Sequence, residues 1–398
     1  MTPSDIMSGA PVPKDNQVTL ANWRVAPYNR WAFHHVREII PTAEITARPS
    51  PVLTRDLHDI WDIPLEDDTA QERTFGNIME QTHTSGLVVL RSGRVVAEWF
   101  DDGYDRRLPH ILFSVSKSIT SVLTGILADR DVVEPDAPVA RYIPEVEGSA
   151  YGDCTIRHVL DMTVSTSFEE VYLDPDGEFA RYRAATGWNP SNGTGQGDLR
   201  SFLLTLKSGT DAHGERFHYL SPNSDLLGWI LERASGRRFA DLLSEHLWQP
   251  MGAEAAASIT VDRLGAPRTA GGISARPHDL ARIGELMRKH GVAGDEQVVP
   301  AWWIDDITGY SDNAAWLRGD LAHLFPEGGY RSKWYQTGKA SGAFCSIGIH
   351  GQWLYVDPSA EVVIARTAAQ PEPVDEALDL LHITAFEAVS KYLTTREV

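Results

Sequence analysis

The sequence predicts an α+β protein of two lobes, an antiparallel sheet flanked by helices plus a mainly helical lobe. Three observations carry this. β-rich runs lie near both ends, at 86–100 and 346–367, and segments of helical character fill the stretch between them. Strands far apart in sequence that share one sheet must enclose whatever lies between. The chain's 398 residues are enough for two lobes around a sizeable core. The sheet lobe is expected at 1–110 together with 260–398 and the helical lobe at 111–259, with the active site between them.

In chain order, residues 1–20 read as a loose, proline-containing arm. "AQERTFGNIMEQTH" (70–83) reads as helical. "GLVVLRSGRVVAEWF" (86–100) holds two β-rich runs around Ser92-Gly93, a hairpin signal. "LFSVSKSITSVLTGILADRD" (112–131) is an apolar helix opened by a small polar knot. Thr155 is placed to cap a short helix, and 198–206 and 221–236 read as helices, the latter stopped by Gly236. Residues 274–291 form another capped helix. "SIGIHGQWLYVD" (346–357) and "EVVIART" (361–367) read as β, separated by Pro358-Ser359-Ala360, and a final helix covers 374–393.

Composition is that of a globular protein, with 42% hydrophobic and 23% charged residues. A net charge of −19 disfavours nucleic acid and anionic membrane as partners. The N-terminal stretch lacks an apolar signal region and no segment approaches the ~18 apolar residues of a membrane span, so a cytoplasmic location is expected. Cys154 and Cys345 allow one bridge at most, show no zinc-binding spacing, and are expected to be reduced. Without HExxH, a Walker A loop or a dinucleotide fingerprint, no metal or organic cofactor is expected.

The polar knot is where chemistry enters. Ser114 and Lys117, at i and i+3, share a helix face. A serine hydroxyl needs a nearby base to become a nucleophile, and a lysine in an apolar helix has its ammonium form disfavoured. The helix N-terminus adds N–H groups suited to a developing oxyanion. The chain has seven lysines, so one Ser-x-x-Lys match is near chance, and its place at a helix start is what carries the reading. "FHYLSPNSDLLGWILERASGRRF" (217–239) adds Tyr219, Ser221 and Asn223 just before a helix. A tyrosine there is ordinarily packing, but one whose pKa is lowered by a nearby ammonium serves as acid or base. In "SIGIHGQW" a glycine-rich strand would let a ligand approach the backbone. A buried strand with tolerated glycines explains it equally, and His350 alone is a structural histidine.

In this order, Ser114-x-x-Lys117, Tyr219-Leu-Ser-Pro-Asn223 and Ile349-His350-Gly351 resemble the serine β-lactamase/penicillin-binding-protein superfamily, closest to its class C β-lactamase-like esterase branch. The second motif is not Ser-Asp-Asn and the third is not Lys-Thr-Gly, departures from true β-lactamases and peptidases. "NRWAFHHVREIIPTA", "VLDM", "VYLDP", "GGIS" with "DLARIG", and "GIHGQ" extend the resemblance over most of the chain to the 6-aminohexanoate-dimer (nylon-oligomer) hydrolase family. It implies a β-lactamase/DD-peptidase-like fold and a serine hydrolase. The hydrolase would act through an acyl-enzyme on short-chain carboxyl esters, and on linear amides such as the aminohexanoate dimer. It implies Ser114 as nucleophile, Lys117 and Tyr219 as the proton-shuttling pair, and the Ser114 and Ile349 N–H groups as oxyanion donors. Tyr172 would contact the substrate nitrogen, and Asn223, Tyr335 and His350 would line the substrate site. Arg183 falls where amide-active members carry an aspartate for the substrate's ammonium, and Ala270 where they carry an asparagine that aids amide hydrolysis. Both departures favour esters over the dimer. A small-molecule ester or amide is the expected partner, and a homodimer is admitted. A D-amino-acid peptidase, a weak β-lactamase and an inactive binding module on the same fold are the rival readings.

Overall fold

The computed structural model describes residues 5–65, 73–190 and 197–395. Strand β1 is Thr42–Ile45 and helix α1 is Phe75–Gln81, opened by the Thr74 hydroxyl accepting from the Asn77 N–H. Strands β2 (Thr84–Arg91) and β3 (Arg94–Phe100) form the expected hairpin. Ser92 and Gly93 both take positive φ, 48° and 80°, which matches the turn to the strands' own twist. After β4 (His110–Ile111) come α2 (Val115–Asp129), α3 (Ile156–Leu160), α4 (Glu178–Ala185), α5 (Leu199–Leu203) and α6 (Ser221–Ser235). Thr155 caps α3 and a left-handed Gly236 ends α6, both as expected. Strands β5 (Ala257–Thr260) and β6 (Ile273–Ala275) lead to α7 (Pro277–Arg288). The chain closes with β7 (Gly329–Arg331), β8 (Trp334–Gln336), β9 (Phe344–Gly348), β10 (Gln352–Asp357), β11 (Val362–Ala368) and α8 (Glu376–Thr394).

The main sheet is antiparallel, in the order β7-β8-β9-β10-β11-β2-β3, so the terminal regions do share one sheet. It is covered on both faces. Val88 and Leu90 join the core that includes Ile283 of α7, while Leu87 and Val89 join the one that includes Phe386 of α8. Burial on both sides is why these strands read as unbroken apolar runs rather than alternating ones. At Gly284 of α7 a β-carbon would stand 2.4 Å from Val363, so the glycine lets the helix close on the sheet.

A second sheet, β1-β5-β6-β4, lies where the two lobes were expected to part. Both expected boundaries, 110/111 and 259/260, fall inside its strands β4 and β5. Three expectations about single elements need correction. The 70–83 helix starts only at Phe75, with Arg73 and Thr74 extended and 70–72 outside the described residues. The 274–291 helix starts at Pro277, because Ile273–Ala275 pairs with β4 and β5. Residues 346–357 are two strands, with Ile349-His350-Gly351 at the turn between them. Cys154 and Cys345 are both buried free thiols. Among the described residues no helix is long and apolar enough to cross a membrane.

Candidate active site

Helix α2 begins one residue after Ser114 and is buried almost throughout. Its other early serines are committed to structure. Ser116 Oγ accepts from the Ile273 N–H, and Ser118 Oγ donates to the Lys333 carbonyl and bonds Ser346 Oγ. Ser114 instead faces a cleft. The residue before it, Phe113, is buried with φ +44°, a left-handed conformation costly for a bulky side chain. That turn swings the chain from β4 into the helix and lifts the Ser114 hydroxyl to the cleft floor.

Lys117 lies beneath it, 1% exposed. Its Nζ donates to Ser114 Oγ at 2.8 Å and to the Ala270 carbonyl at 2.7 Å, and sits 5.0 Å from the centre of the Tyr219 ring. Burial lowers its pKa to about 7, with the Glu170 carboxylate pulling the other way. Tyr219 behaves contrary to expectation. Burial, then the Glu170 charge, raise its pKa instead of lowering it, against opposing interactions with the Ser114 and Tyr335 side chains. Near neutral pH the pair therefore consists of an amine that accepts a proton and a phenol that holds one.

The end of β9 presses on the start of α2. A β-carbon on Gly348 would stand 2.7 Å from the Leu112 carbonyl and 3.1 Å from the Ser114 nitrogen, so only glycine fits this approach. Ile349 follows at once, and His350 (φ +61°) turns the chain. Neither the Ser114 nor the Ile349 N–H has a backbone acceptor among the described residues.

Two arms of the cleft meet at Ser114, with cavity volumes of 310 and 330 Å³. Both are lined by Ser114, Glu170, Tyr172 and Ile349. The first arm adds Arg24, Arg183, Arg268, Ala270 and His350, and the second adds Tyr219, Tyr335 and several carboxylates. Tyr172, on the loop before α4, donates to Glu170 Oε1 at 2.7 Å and packs edge-on against Phe179. Glu170 also accepts from the Ser221 hydroxyl at 2.8 Å and the Ser221 N–H at 2.6 Å, which ties this loop to the first turn of α6.

One predicted residue does not join the site. Asn223 is fully buried, accepts from the Tyr151 hydroxyl at 3.0 Å and points its amide at Met162. It lies two positions after Ser221, about 200° around the helix, so it faces the core when Ser221 faces the cleft. His350 lines the first arm but is held neutral, its pKa lowered by burial to about 4 and its Nδ1 bonded to the Gln370 carbonyl at 2.7 Å. Ala270 acts through its backbone, which receives Lys117 and donates to Asp225 at 2.8 Å. Sequence reasoning missed Arg24, Arg268 and the central place of Glu170. The only sequence signal for any of them is the acidic stretch around Tyr172, made of Glu169, Glu170, Asp174, Asp176 and Glu178. Among the described residues no cluster of three or more His, Cys, Asp or Glu side chains could hold a metal ion.

The Beta-lactamase family model matches residues 72–387. The chain belongs to the beta-lactamase family. It is 36% identical over 355 residues to the 6-aminohexanoate-dimer hydrolase of Paenarthrobacter ureafaciens, covering 89% of each chain. Its fold matches that of a Bacillus anthracis protein provisionally named 6-aminohexanoate-dimer hydrolase, with a TM-score of 0.86, 24% identity, and 96% of this chain and 98% of that one covered. It also matches a family VIII carboxylesterase, with a TM-score of 0.57, 14% identity, and 79% and 95% covered. These two likenesses speak for the fold, which is the β-lactamase/penicillin-binding-protein one, and family membership makes the chain a hydrolase.

Proposed function

We propose that the protein is a serine hydrolase that forms an acyl-enzyme on Ser114, acting on short-chain carboxyl esters and, more weakly, on linear amides. The observation that carries this is the buried Lys117 amine, 2.8 Å from Ser114 Oγ with a pKa of about 7. A base poised near neutral pH is what serine activation needs. In acylation Lys117 takes the Ser114 proton as Oγ bonds the acyl carbon, and the Ser114 and Ile349 N–H groups receive the oxyanion. Tyr219 gives its proton to the leaving oxygen or nitrogen as that bond breaks, and recovers one from the Lys117 ammonium. In deacylation water gives up a proton to the same pair, its oxygen bonds the acyl carbon, and Ser114 leaves with a proton restored. The Tyr219 ring face near Lys117 Nζ stabilises the transient ammonium.

The named relative supports amide substrates of the aminohexanoate type, while Arg183 and Ala270 favour esters. Steady-state kinetics on short p-nitrophenyl esters tests the reading. Wild type should turn them over, and Ser114→Ala should lose essentially all turnover while melting at an unchanged temperature. Full activity in Ser114→Ala would refute the proposal.

A further inference from the structure

The first arm of the cleft has an unusual charge for a chain of net −19. Three guanidinium groups line it, from three separate parts of the fold: Arg24 near the N-terminus, Arg183 on α4 and Arg268 ahead of β6. Among the described residues Arg24 donates to neutral acceptors alone, the Trp188 carbonyl at 3.0 Å and Asn189 Oδ1 at 2.5 Å. Arg183 lies over the Phe179 ring at 5.0 Å, and its buried Nε has no hydrogen-bond partner among the described residues. Among the described residues neither has a carboxylate within ion-pair distance. Arg268 is paired with Asp225, yet its buried Nε is likewise unpartnered. Two carboxylates face the arm. Glu170 has its oxygens taken by Tyr172 and Ser221, and Glu372 is exposed at the rim.

Burial and mutual repulsion hold the Arg24 pKa down to about 9 and depress that of Arg183. A bound anion would relieve both effects. The two arms also differ in chemical role. Tyr219 and Tyr335 line only the second arm. The group that protonates a leaving atom must stand beside it, so the leaving group lies in the second arm and the acyl chain in the arginine arm.

We infer that the arginine arm is an anion subsite, and that the acyl group this enzyme accepts ends in a carboxylate, as in monoesters and monoamides of dicarboxylic acids. This rests on the serine-hydrolase reading above. It goes beyond weakened dimer binding, because it names what the arm attracts.

The test uses three p-nitrophenyl esters of equal chain length: hydrogen adipate, hexanoate and 6-aminohexanoate. The hexanoate ester reports hydrolysis without charge. The adipate ester should exceed it about tenfold in kcat/KM at low salt, and the aminohexanoate ester should fall below it. The preference should shrink in 0.5 M salt, an order-of-magnitude choice well above physiological ionic strength. Arg183→Gln and Arg24→Gln should each lower the adipate-to-hexanoate ratio several-fold. Equal rates for the three esters, or a ratio that survives both substitutions, would overturn the inference while leaving the hydrolase reading intact. If no ester is hydrolysed, the hydrolase reading fails, and calorimetric titration of Ser114→Ala with hexanoate decides the subsite alone. Binding that weakens tenfold or more when Arg24 and Arg183 are both replaced supports it. Absent binding, or binding indifferent to those replacements, overturns it.

Discussion

Lys117 and Lys333 are each 1% exposed, the first within helix α2 and the second itself in a left-handed conformation at φ 67°. Burial depresses both ammonium groups, and at Lys333 the Lys117 charge adds to the burial. Their surroundings differ. Lys333 donates to the Val159 carbonyl and faces Met162 Sδ at 3.2 Å, while its own carbonyl receives Ser118. Neither lysine lines an arm of the cleft, and what separates them is the partner each one reaches. Lys117 meets a serine hydroxyl at the cleft floor. Burial makes an amine available, and only a nucleophile with substrate access beside it makes that amine a base.

The contrast breaks most sharply in activity. Lys117→Ala and Tyr219→Phe should each lower kcat by about 10² or more, the scale of one positioned acid–base group. Their effects should be far from additive, since one proton path is lost in either case. A double variant showing the product of the two losses would mean that they serve separate steps.

Arg183→Asp sharpens a second difference, between the arms. It should raise kcat/KM for the aminohexanoate dimer relative to a neutral ester by about tenfold, because a guanidinium repels the substrate's ammonium where a carboxylate attracts it. Paired kinetics on both substrates measures this.

Stability should then separate activity from comfort. The folded Lys117 pKa of about 7 lies below its unfolded value of ~10.4. The unfolded chain thus binds more protons between those values, and wild-type stability rises with pH across that window. Holding this lysine at pH 7 costs on the order of 4 kcal/mol, offset by the Ala270 hydrogen bond. Lys117→Met should therefore be inactive yet about 1–3 kcal/mol more stable at pH 7, with the gain fading toward pH 10. Chemical denaturation at several pH values would show it, and a less stable variant at pH 7 would contradict the cost assigned to burial.

The smallest effect on rate belongs to Lys333→Met. Turnover should stay within about threefold of wild type. The burial cost argued for Lys117 applies here too, so stability at pH 7 should rise, less the roughly 1 kcal/mol of the lost Val159 hydrogen bond.

How much of this was legible depended on sequence distance. The 86–100 hairpin and the 221–235 helix announced themselves through Ser92-Gly93 and Gly236, local signals whose geometry the backbone then adopted. Ser114 and Lys117 were readable because three residues on a helix fix their relation. Arg24, Glu170, Arg183 and Arg268 converge from parts of the chain up to 244 residues apart, and no local pattern encodes that meeting. Asn223 was misread because a motif names residues without their helical phase. The Tyr219 pKa was misjudged because only the ammonium was weighed, not the burial and the carboxylate that surround the ring.

The most direct test is covalent labelling with a fluorophosphonate across pH, followed by intact mass and peptide mapping. A single adduct on Ser114 is expected, formed at a rate that rises through about pH 7 as Lys117 loses its proton and that collapses in Lys117→Ala. An adduct on Ser116, Ser118 or elsewhere, or a rate indifferent to Lys117, would contradict it.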